Sequence, residues 1–118
     1  MGCQAHQYEV GRAIALVEAR AGVPITISEL CRAADVSERT LRNAFHDVYG
    51  VSPKQYLTRR ALEQAHEALL LAHGARGAVT HAAMDCGFFE LGRFAGSYRR
   101  VFGEYPSDTV RHAAVAAE

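Results

Sequence analysis

The sequence predicts an all-α protein of seven helices, in which two helix-turn-helix subdomains are joined by a long linker helix. Three observations support this prediction. Apolar residues recur at helical spacing along most of the 118 residues, and stretches typical of strands are nearly absent. Residues that start and end helices flank these stretches. A pattern of short helix, turn and longer helix occurs twice.

The first helix is predicted from an apolar stripe with spacings of four, three and four residues. The members of this stripe are Val10, Ile14, Val17 and Ala21. We expect the helix to end near Gly22, with Pro24 just beyond it.

The second and third helices are predicted from serines that can serve as N-caps. The hydroxyl of Ser28 can accept a hydrogen bond from an unpaired N–H, which predicts a short helix through about Ala34. Ser37 can cap a third helix in the same way. We expect that helix to run to Tyr49 and to stop at Gly50.

A fourth, longer helix is predicted from Pro53 to about His73. Ser52 followed by Pro53 is typical of an N-cap and a first helical position. Gly74 and Gly77 are expected to end this helix. Its apolar stripe is predicted to consist of Leu57, Ala61, Ala65, Ala68 and Ala72.

The three remaining helices are shorter. Thr80 is expected to cap a fifth helix that reaches about Cys86. A sixth helix is predicted from Glu90 to Phe102 by its apolar spacing. Pro106 is expected to start a short seventh helix.

The elements on the two sides of the fourth helix form an internal repeat. Ile27 and Ser28 correspond to Val79 and Thr80 at a spacing of 52 residues, and one residue is inserted after Gly87. Beyond the insertion the spacing is 53, as in the pairs Leu41 and Phe94, Phe45 and Tyr98, Gly50 and Gly103, and Pro53 and Pro106. Each repeat therefore has the helix-turn-helix layout, whose second helix enters the DNA major groove.

The turn of each repeat contains a residue suited to a positive φ angle. Gly87 stands in the second turn, and Asp35 stands at the same position of the first. Glycine adopts positive φ freely, and Asp tolerates it better than most residues do.

The third helix is predicted to have one buried and one exposed face. The apolar face consists of Leu41, Ala44, Phe45, Val48 and Tyr49. The opposite face carries Arg39, Arg42, Asn43 and His46. Arg can pair with guanine and Asn with adenine through two hydrogen bonds each, so this face is the candidate base-contacting surface. A merely solvated helix face is the alternative.

The sixth helix differs on its outward face. Its buried face is predicted to be Leu91, Phe94, Ser97, Tyr98, Val101 and Phe102. Gly92, Ala95 and Gly96 face outward and offer no polar group, although glycines cost about 1 kcal/mol each in a helix. Close approach of this helix to DNA would explain them, with Ala95 able to touch a thymine methyl group.

Positive charge is concentrated in two blocks, although thirteen basic and thirteen acidic residues cancel over the whole chain. Residues 37–60 carry a net charge of +3 and residues 88–103 one of +2. Within these blocks, phosphate contacts are expected from Ser37, Thr40, Lys54, Arg99 and Arg100.

Several other classes of protein are disfavoured. No apolar run approaches the roughly 20 residues of a membrane helix, and no signal peptide opens the chain, so we expect a cytoplasmic protein. Cys3, Cys31 and Cys86 are too few and too widely spaced for a disulfide framework or zinc site, which leaves packed thiols or a redox sensor. His66 and His73 could share a helix face, but a solvated pair is more common than a metal site.

Enzymatic motifs are absent from the sequence, and no cofactor is expected. It contains no G-x-S-x-G, no phosphate-binding glycine loop and no H-E-x-x-H. The function predicted from the residues is therefore sequence-specific binding of double-stranded DNA. The alternative is a protein-interaction module of the same fold with weak or no DNA binding, which the zero net charge favours.

Two segments resemble the DNA-binding domain of AraC/XylS-type transcriptional regulators. They are LCRAADVSERTLRNAFHDVYGVSP at residues 30–53 and GFFELGRFAGSYRRVFGEYP at residues 87–106, and the resemblance covers about residues 8–112. It implies that Arg39, Arg42 and Asn43 contact bases from the first recognition helix. It implies the same for Gly92, Arg93 and Gly96 in the second. Asp35 and Gly96 depart from the family pattern.

The resemblance also implies a domain plan and partners. We expect a tail at residues 1–7, lobes at 8–52 and 74–114, a linker helix at 53–73 and a second tail at 115–118. The family's lobes bind adjacent major-groove segments, and RNA polymerase is a common partner. Most members also carry a sensor or dimerisation domain, so we expect this chain to be the DNA-binding part of a longer regulator at the bacterial nucleoid. A naturally short regulator is the other option.

Overall fold

The computed structural model describes residues 2–20 and 23–117, with side chains between residues 6 and 116 of those ranges. This part of the chain contains seven α-helices and no strand, as the sequence predicts. The helices are α1 (Gly2–Ala19), α2 (Ile27–Ala34), α3 (Glu38–Tyr49), α4 (Pro53–Leu71), α5 (Ala78–Asp85), α6 (Leu91–Phe102) and α7 (Pro106–Ala117). None of these helices is long and apolar enough to cross a membrane.

The chain divides into two compact units, and the division falls inside α4. The first unit spans Met1–Arg59 and the second Arg60–Glu118. Each unit has a hydrophobic core of its own. The predicted boundaries of the two lobes stay predictions.

The core of the first unit is formed by α1, α2 and α3. Helix α1 packs against both of the other two. The buried side chains are Val10, Ala13, Val17, Leu30, Ala34, Leu41, Ala44 and Phe45. Val10 and Val17 confirm part of the predicted stripe, Ile14 is half-buried beside them, and Ala21 and Gly22 lie outside the described residues.

The core of the second unit gathers residues of α4, α5 and α6. The buried side chains are Leu62, Ala65, Leu69, Ala82, Ala83, Phe94 and Tyr98. The predicted stripe of α4 was right only in part, and Leu57, Ala61 and Ala72 are half-buried. Ala65 is buried as predicted, but Ala68 is exposed, and the buried face follows the larger side chains Leu62 and Leu69. Leucine gains more than alanine from leaving water, so the leucines determine which face is inside.

Both ends of α3 are as predicted. Ser37 is the N-cap, and its hydroxyl accepts a hydrogen bond from the N–H of Thr40 at 3.2 Å. Gly50 ends the helix in the left-handed conformation. Asp35 and Gly87 have the predicted positive φ angles, 57° and 89°.

Two predicted N-caps were wrong. Thr26, not Ser28, caps α2: its hydroxyl accepts from the N–H of Glu29, whose carboxylate in turn accepts from the N–H of Thr26 at 2.9 Å. This reciprocal pair satisfies two donors at once, which a lone serine cannot do. Gly77 stands at the start of α5 in place of Thr80, without a side-chain cap.

Three helix ends differ from the prediction. Helix α1 begins at Gly2, so residues 2–7 are helical where a tail was expected, and His6 pairs with Asp47 of α3. Helix α4 ends at Leu71, because His73 adopts a positive φ of 52° that no helix accommodates. Helix α7 continues to Ala117 beyond the expected lobe end at residue 114.

Two aromatic or aliphatic residues that were predicted to be buried are exposed. Tyr49 is 49% exposed, although its ring stacks on Tyr56 with centroids 5.4 Å apart. Leu91 is 43% exposed at the start of α6. Both lie at the end of a helix, where fewer neighbours can cover a side chain.

Candidate nucleic-acid interface

The outward face of α3 is exposed, as the sequence predicts. Arg39, Arg42, Asn43 and His46 all lie on the solvent side of the helix. The opposite side holds the fully buried Leu41, Ala44 and Phe45. The structure thus brings the four candidate base-contacting residues of the first unit onto one continuous polar face.

One ion pair lies on this face. Arg42 Nη2 is 3.3 Å from Glu38 Oε1, one helical turn earlier, and both side chains are more than half exposed. Exposed pairs of this spacing contribute only about 0.3–0.5 kcal/mol. The guanidinium of Arg42 can therefore leave Glu38 at little cost when a stronger acceptor is offered. This pairing of Glu38 was not predicted, although its position four residues before an Arg is a recognisable signal in the sequence.

The predicted phosphate contacts of the first unit lie at helix starts. The Ser37 hydroxyl donates to Thr40 Oγ1 at 3.1 Å while it accepts the backbone N–H of the same residue. Lys54 is exposed in the first turn of α4. A helix start presents unpaired N–H groups and the positive end of the helix dipole, both of which favour an anion.

The outward face of α6 is nearly bare of side chains. Gly92, Arg93 and Gly96 are exposed, and Ala95 is half-buried. A Cβ atom added at Gly96 would meet nothing within 4 Å, and one added at Gly92 would meet only Glu90 Oε1, at 3.2 Å. Packing inside the chain therefore does not require glycine at position 96.

Helix α6 also carries three arginines. Arg93, Arg99 and Arg100 are all exposed. The guanidinium carbon of Arg99 lies 5.0 Å from the centre of the Tyr105 ring, which is the geometry of a cation–π contact. The ring restricts the long side chain of Arg99 and leaves its N–H groups available to an anion.

The start of α6 contains a cap that sequence reasoning missed. The Glu90 carboxylate accepts a hydrogen bond from the N–H of Gly92 at 3.0 Å and serves as the N-cap. Position 90 follows Ser37 by 53 residues, which is the spacing of the repeat beyond the insertion. The internal repeat therefore indicated an N-cap at position 90, but Glu is an uncommon N-cap residue.

A chain of hydrogen bonds holds α6 within the second unit. His66 Nδ1 of α4 lies 2.7 Å from the Tyr98 hydroxyl of α6, which in turn lies 2.7 Å from Thr109 Oγ1 of α7. Thr109 donates to Glu104, and Glu104 contacts His112 Nδ1 at 3.2 Å. Burial raises the pKa of Tyr98 above its ordinary value, so the phenol stays neutral. Helix α6 is thus tied to α4 and α7 by polar as well as apolar contacts.

The cysteines and histidines do not form a metal centre in the part of the chain that is described. No group of three His, Cys, Asp or Glu residues there could hold a metal ion. His73 lies beyond the end of α4, so it does not share a helix face with His66. Cys31 and Cys86 are free thiols, and burial raises the pKa of each, which disfavours the reactive thiolate. The side chain of Cys3 lies outside the described residues.

Comparison with known proteins places this architecture in a class. A family model described as "Helix-turn-helix domain" matches residues 30–112, which include both short-helix, turn and long-helix units. The chain is therefore a helix-turn-helix protein.

Relatives and solved structures define the family. The XylDLEGF operon transcriptional activator of Pseudomonas putida is 38% identical over 100 residues, which cover 85% of this chain and 31% of that protein. The crystal structure of a probable AraC family transcriptional regulator from Rhodopseudomonas palustris CGA009 matches with a TM-score of 0.79 and 39% identity, over 89% of this chain and 96% of that one. This chain belongs to the AraC/XylS-type family of transcriptional regulators and corresponds to their helix-turn-helix domain.

A third neighbour was solved with nucleic acid. The DNA-binding domain of AdpA, a global transcriptional factor, in complex with a target DNA matches with a TM-score of 0.76 over 90% of this chain and 93% of that one. At 23% identity this likeness concerns the fold alone. The chain spans about three tenths of the length of the P. putida activator.

Proposed function

We propose that the chain binds double-stranded DNA in a sequence-specific manner, and that α3 makes the main base contacts. The exposed polar face of α3, opposite the buried Leu41, Ala44 and Phe45, carries this proposal. In the helix-turn-helix class the second helix of the motif lies in the major groove. Here that helix presents two arginines and an asparagine to solvent.

The side chains of α3 suit particular base edges. Arg39 and Arg42 can each donate two hydrogen bonds to O6 and N7 of a guanine. Asn43 can pair with N7 and N6 of an adenine. His46, one turn further along, can donate to or accept from a base edge according to its tautomer.

The second unit serves mainly as an anchor. Gly92 and Gly96 would leave the backbone of α6 open to close approach by the duplex, and the exposed Arg93 would contact the groove beside them. Arg99 and Arg100 neutralise phosphates. Contacts of this kind position a protein but carry no direct sequence information.

Phosphate contacts in the first unit come from Ser37, Thr40 and Lys54. These residues stand at the starts of α3 and α4, where the helix dipoles also favour phosphate. Together with the second unit, they would hold the chain on two adjacent major-groove segments of one duplex.

The wider role follows from the family. The P. putida relative is a transcriptional activator by name, and activation of transcription would require this chain to act together with RNA polymerase. We propose the same partner for this chain. A sensor or dimerisation domain elsewhere in the regulator, and a place at the bacterial nucleoid, complete the proposal.

A salt series tests the proposal against its rival. Labelled duplexes are selected by the chain from random DNA, and their dissociation constants are measured at rising salt concentration. Phosphate contacts predict that the logarithm of affinity falls steeply and linearly with the logarithm of salt. A flat response, or no binding at all, would instead favour the protein-interaction module that the zero net charge suggests.

The unequal roles of the two units need a second measurement. Each base pair of the selected site is replaced in turn, and the loss of affinity is recorded across both halves. We expect large losses in the half bound by α3 and small ones in the other half. Equal losses in both halves would reject the assignment of the second unit as an anchor.

A further inference from the structure

The turn of the second unit contains one residue that has no counterpart in the first. Up to the turn, the two units match at a spacing of 52 residues. The N–H of Val36 donates to the carbonyl of Cys31 at 3.0 Å, and the N–H of Phe88 donates to the carbonyl of Ala83 at 2.8 Å. These hydrogen bonds close the short helix of each unit in the same way, so Phe88 corresponds to Val36.

Beyond the turn, the spacing is 53 residues. Ser37 is the N-cap of α3, and Glu90 is the N-cap of α6. Val36 is followed directly by its N-cap, whereas Phe88 and Glu90 are separated by one residue. The additional residue of the second turn is therefore Phe89.

Phe89 is exposed to an unusual degree for an aromatic residue. It is 81% exposed, the highest value among the large hydrophobic side chains that the structure describes. The preceding Phe88, in contrast, packs on Phe94 with ring centres 5.0 Å apart. The core of the unit thus uses one phenylalanine of the pair, and the other is left at the surface directly before a recognition helix.

The surroundings of Phe89 favour a nucleic acid as the surface that covers it. Helix α6 begins two residues later, and its outward positions 92 and 96 are glycines with open space around position 96. The charged side chains of α6 are the exposed Arg93, Arg99 and Arg100, and the capping Glu90 directly follows Phe89. An exposed phenyl ring just before a helix that carries three arginines and two outward glycines suits a polyanion that also offers apolar groups in a groove.

We infer that Phe89 packs against the 5-methyl group of a thymine in the major groove and gives the second unit a base preference of its own. This inference rests on the proposed DNA binding. Thymine is the base whose major-groove edge carries a methyl group, and apolar side chains including Phe recognise it. The N-terminal end of the second helix is the part of a helix-turn-helix that contacts base edges.

Removal of single thymine methyl groups tests this contact. In the duplex that the wild-type chain selects from random DNA, each dT of the second half-site is replaced in turn by dU. We expect one replacement to weaken wild-type binding about fourfold, which equals about 0.8 kcal/mol, the contribution of one buried CH2 group. In Phe89→Ala the same replacement should change affinity by less than 1.5-fold, while the steep salt dependence remains.

Control variants separate this contact from a general loss of apolar surface. Leu71→Ala, at a 65% exposed site, should keep the wild-type response to dU. Phe89→Leu, which retains an apolar side chain, should keep part of it. The inference would be overturned if the dU replacement weakened binding by Phe89→Ala as much as by wild type, or if no dU replacement affected the wild-type chain. Either result would leave the proposal of DNA binding unaffected. A wild-type chain without salt-dependent binding would overturn both.

Discussion

The Tyr98 hydroxyl donates its hydrogen bond to Thr109 Oγ1, 2.7 Å away. The direction follows from the next contact, because Thr109 donates its own hydrogen to the carboxylate of Glu104. Tyr98 must then accept from His66, whose Nδ1 carries a hydrogen. The hydrogen bonds run in one direction, from an imidazole to a carboxylate, through the interior of the second unit.

Tyr98→Phe is expected to destabilise the chain by about 1–3 kcal/mol, because it removes the hydrogen bonds of the hydroxyl with the half-buried His66 and the buried Thr109. Chemical denaturation followed by circular dichroism measures this loss. Tyr105→Phe is the matched control, since Tyr105 is 44% exposed. A loss of stability in Tyr98→Phe that is no larger than the loss in the control would contradict a stabilising role for these hydrogen bonds.

Arg42→Ala is expected to reduce affinity for the selected duplex by about 1–3 kcal/mol and to relax preference at one base pair. The reason is the loss of two hydrogen bonds to a guanine. Quantitative binding to a set of single-substitution duplexes measures both effects. Glu38→Gln, which frees the guanidinium from its ion pair, should retain the preference. A uniform loss over all duplexes in Arg42→Ala would show that this side chain contacts phosphate.

Arg99→Ala should weaken binding to all sequences alike and lower the salt slope by about one. Its guanidinium lies over the Tyr105 ring, and its proposed role is to neutralise a phosphate. Salt titrations of the selected duplex and of an unrelated duplex measure the slope. Arg111→Ala is the control, because Arg111 already pairs with Asp108 at 2.6 Å. Sequence-selectivity profiles that match those of Arg42→Ala would exclude separate roles for the two arginines.

Asp35→Ala is expected to lower the free energy of unfolding by about 1 kcal/mol, because residue 35 has a φ of 57° that alanine adopts poorly. Asp35→Gly should not destabilise the chain. Thermal unfolding of both variants measures the difference. Asp85→Ala, at the helical end of α5, should stay within about 0.5 kcal/mol of wild type. Equal stability of the alanine and glycine variants would contradict the explanation that the positive φ of residue 35 causes the loss of stability.

Acid should destabilise the chain through two capping carboxylates. The Thr26 N–H, and then Arg20, lower the pKa of Glu29, and the Tyr105 N–H lowers that of Asp108. A depressed pKa in the folded state gives stability that is present above the unfolded value and lost as pH falls through the folded one. We therefore expect the melting temperature to decrease when the pH is lowered below about 4.

The acid effect can be assigned with a double variant. Glu29→Gln with Asp108→Asn should show a smaller fall in melting temperature between pH 6 and pH 3 than wild type does. Glu67→Gln, in an exposed position of α4, serves as the control and should behave as wild type. An identical fall in all three proteins would mean that other groups cause the acid sensitivity.

The sequence was most informative where one residue type determines local structure. The N-cap Ser37, the helix stop at Gly50 and the positive φ at Asp35 depend on neighbours along the chain, and all three were predicted. The cap of α2 was missed because the Thr26–Glu29 pair starts the helix earlier than Ser28 would. The signal was present in the sequence, and a reciprocal capping pair outweighs a single serine.

Other features depend on tertiary contacts and could not be predicted. The hydrogen bonds among His66, Tyr98 and Thr109 join three helices, and no local pattern indicates that these positions meet. The buried face of α4 follows Leu62 and Leu69, since the packing partners decide which of several apolar stripes is covered. The exposure of Phe89 is of the same kind, because its sequence neighbours suggest an apolar core.

The open space beside Gly96 makes α6 a favourable place to engineer new operator preferences. A Cβ atom introduced there would meet no protein atom within 4 Å, and alanine in place of glycine would stabilise the helix by about 1 kcal/mol. A library of residues at this position could therefore be screened for altered DNA targets with few variants lost to misfolding.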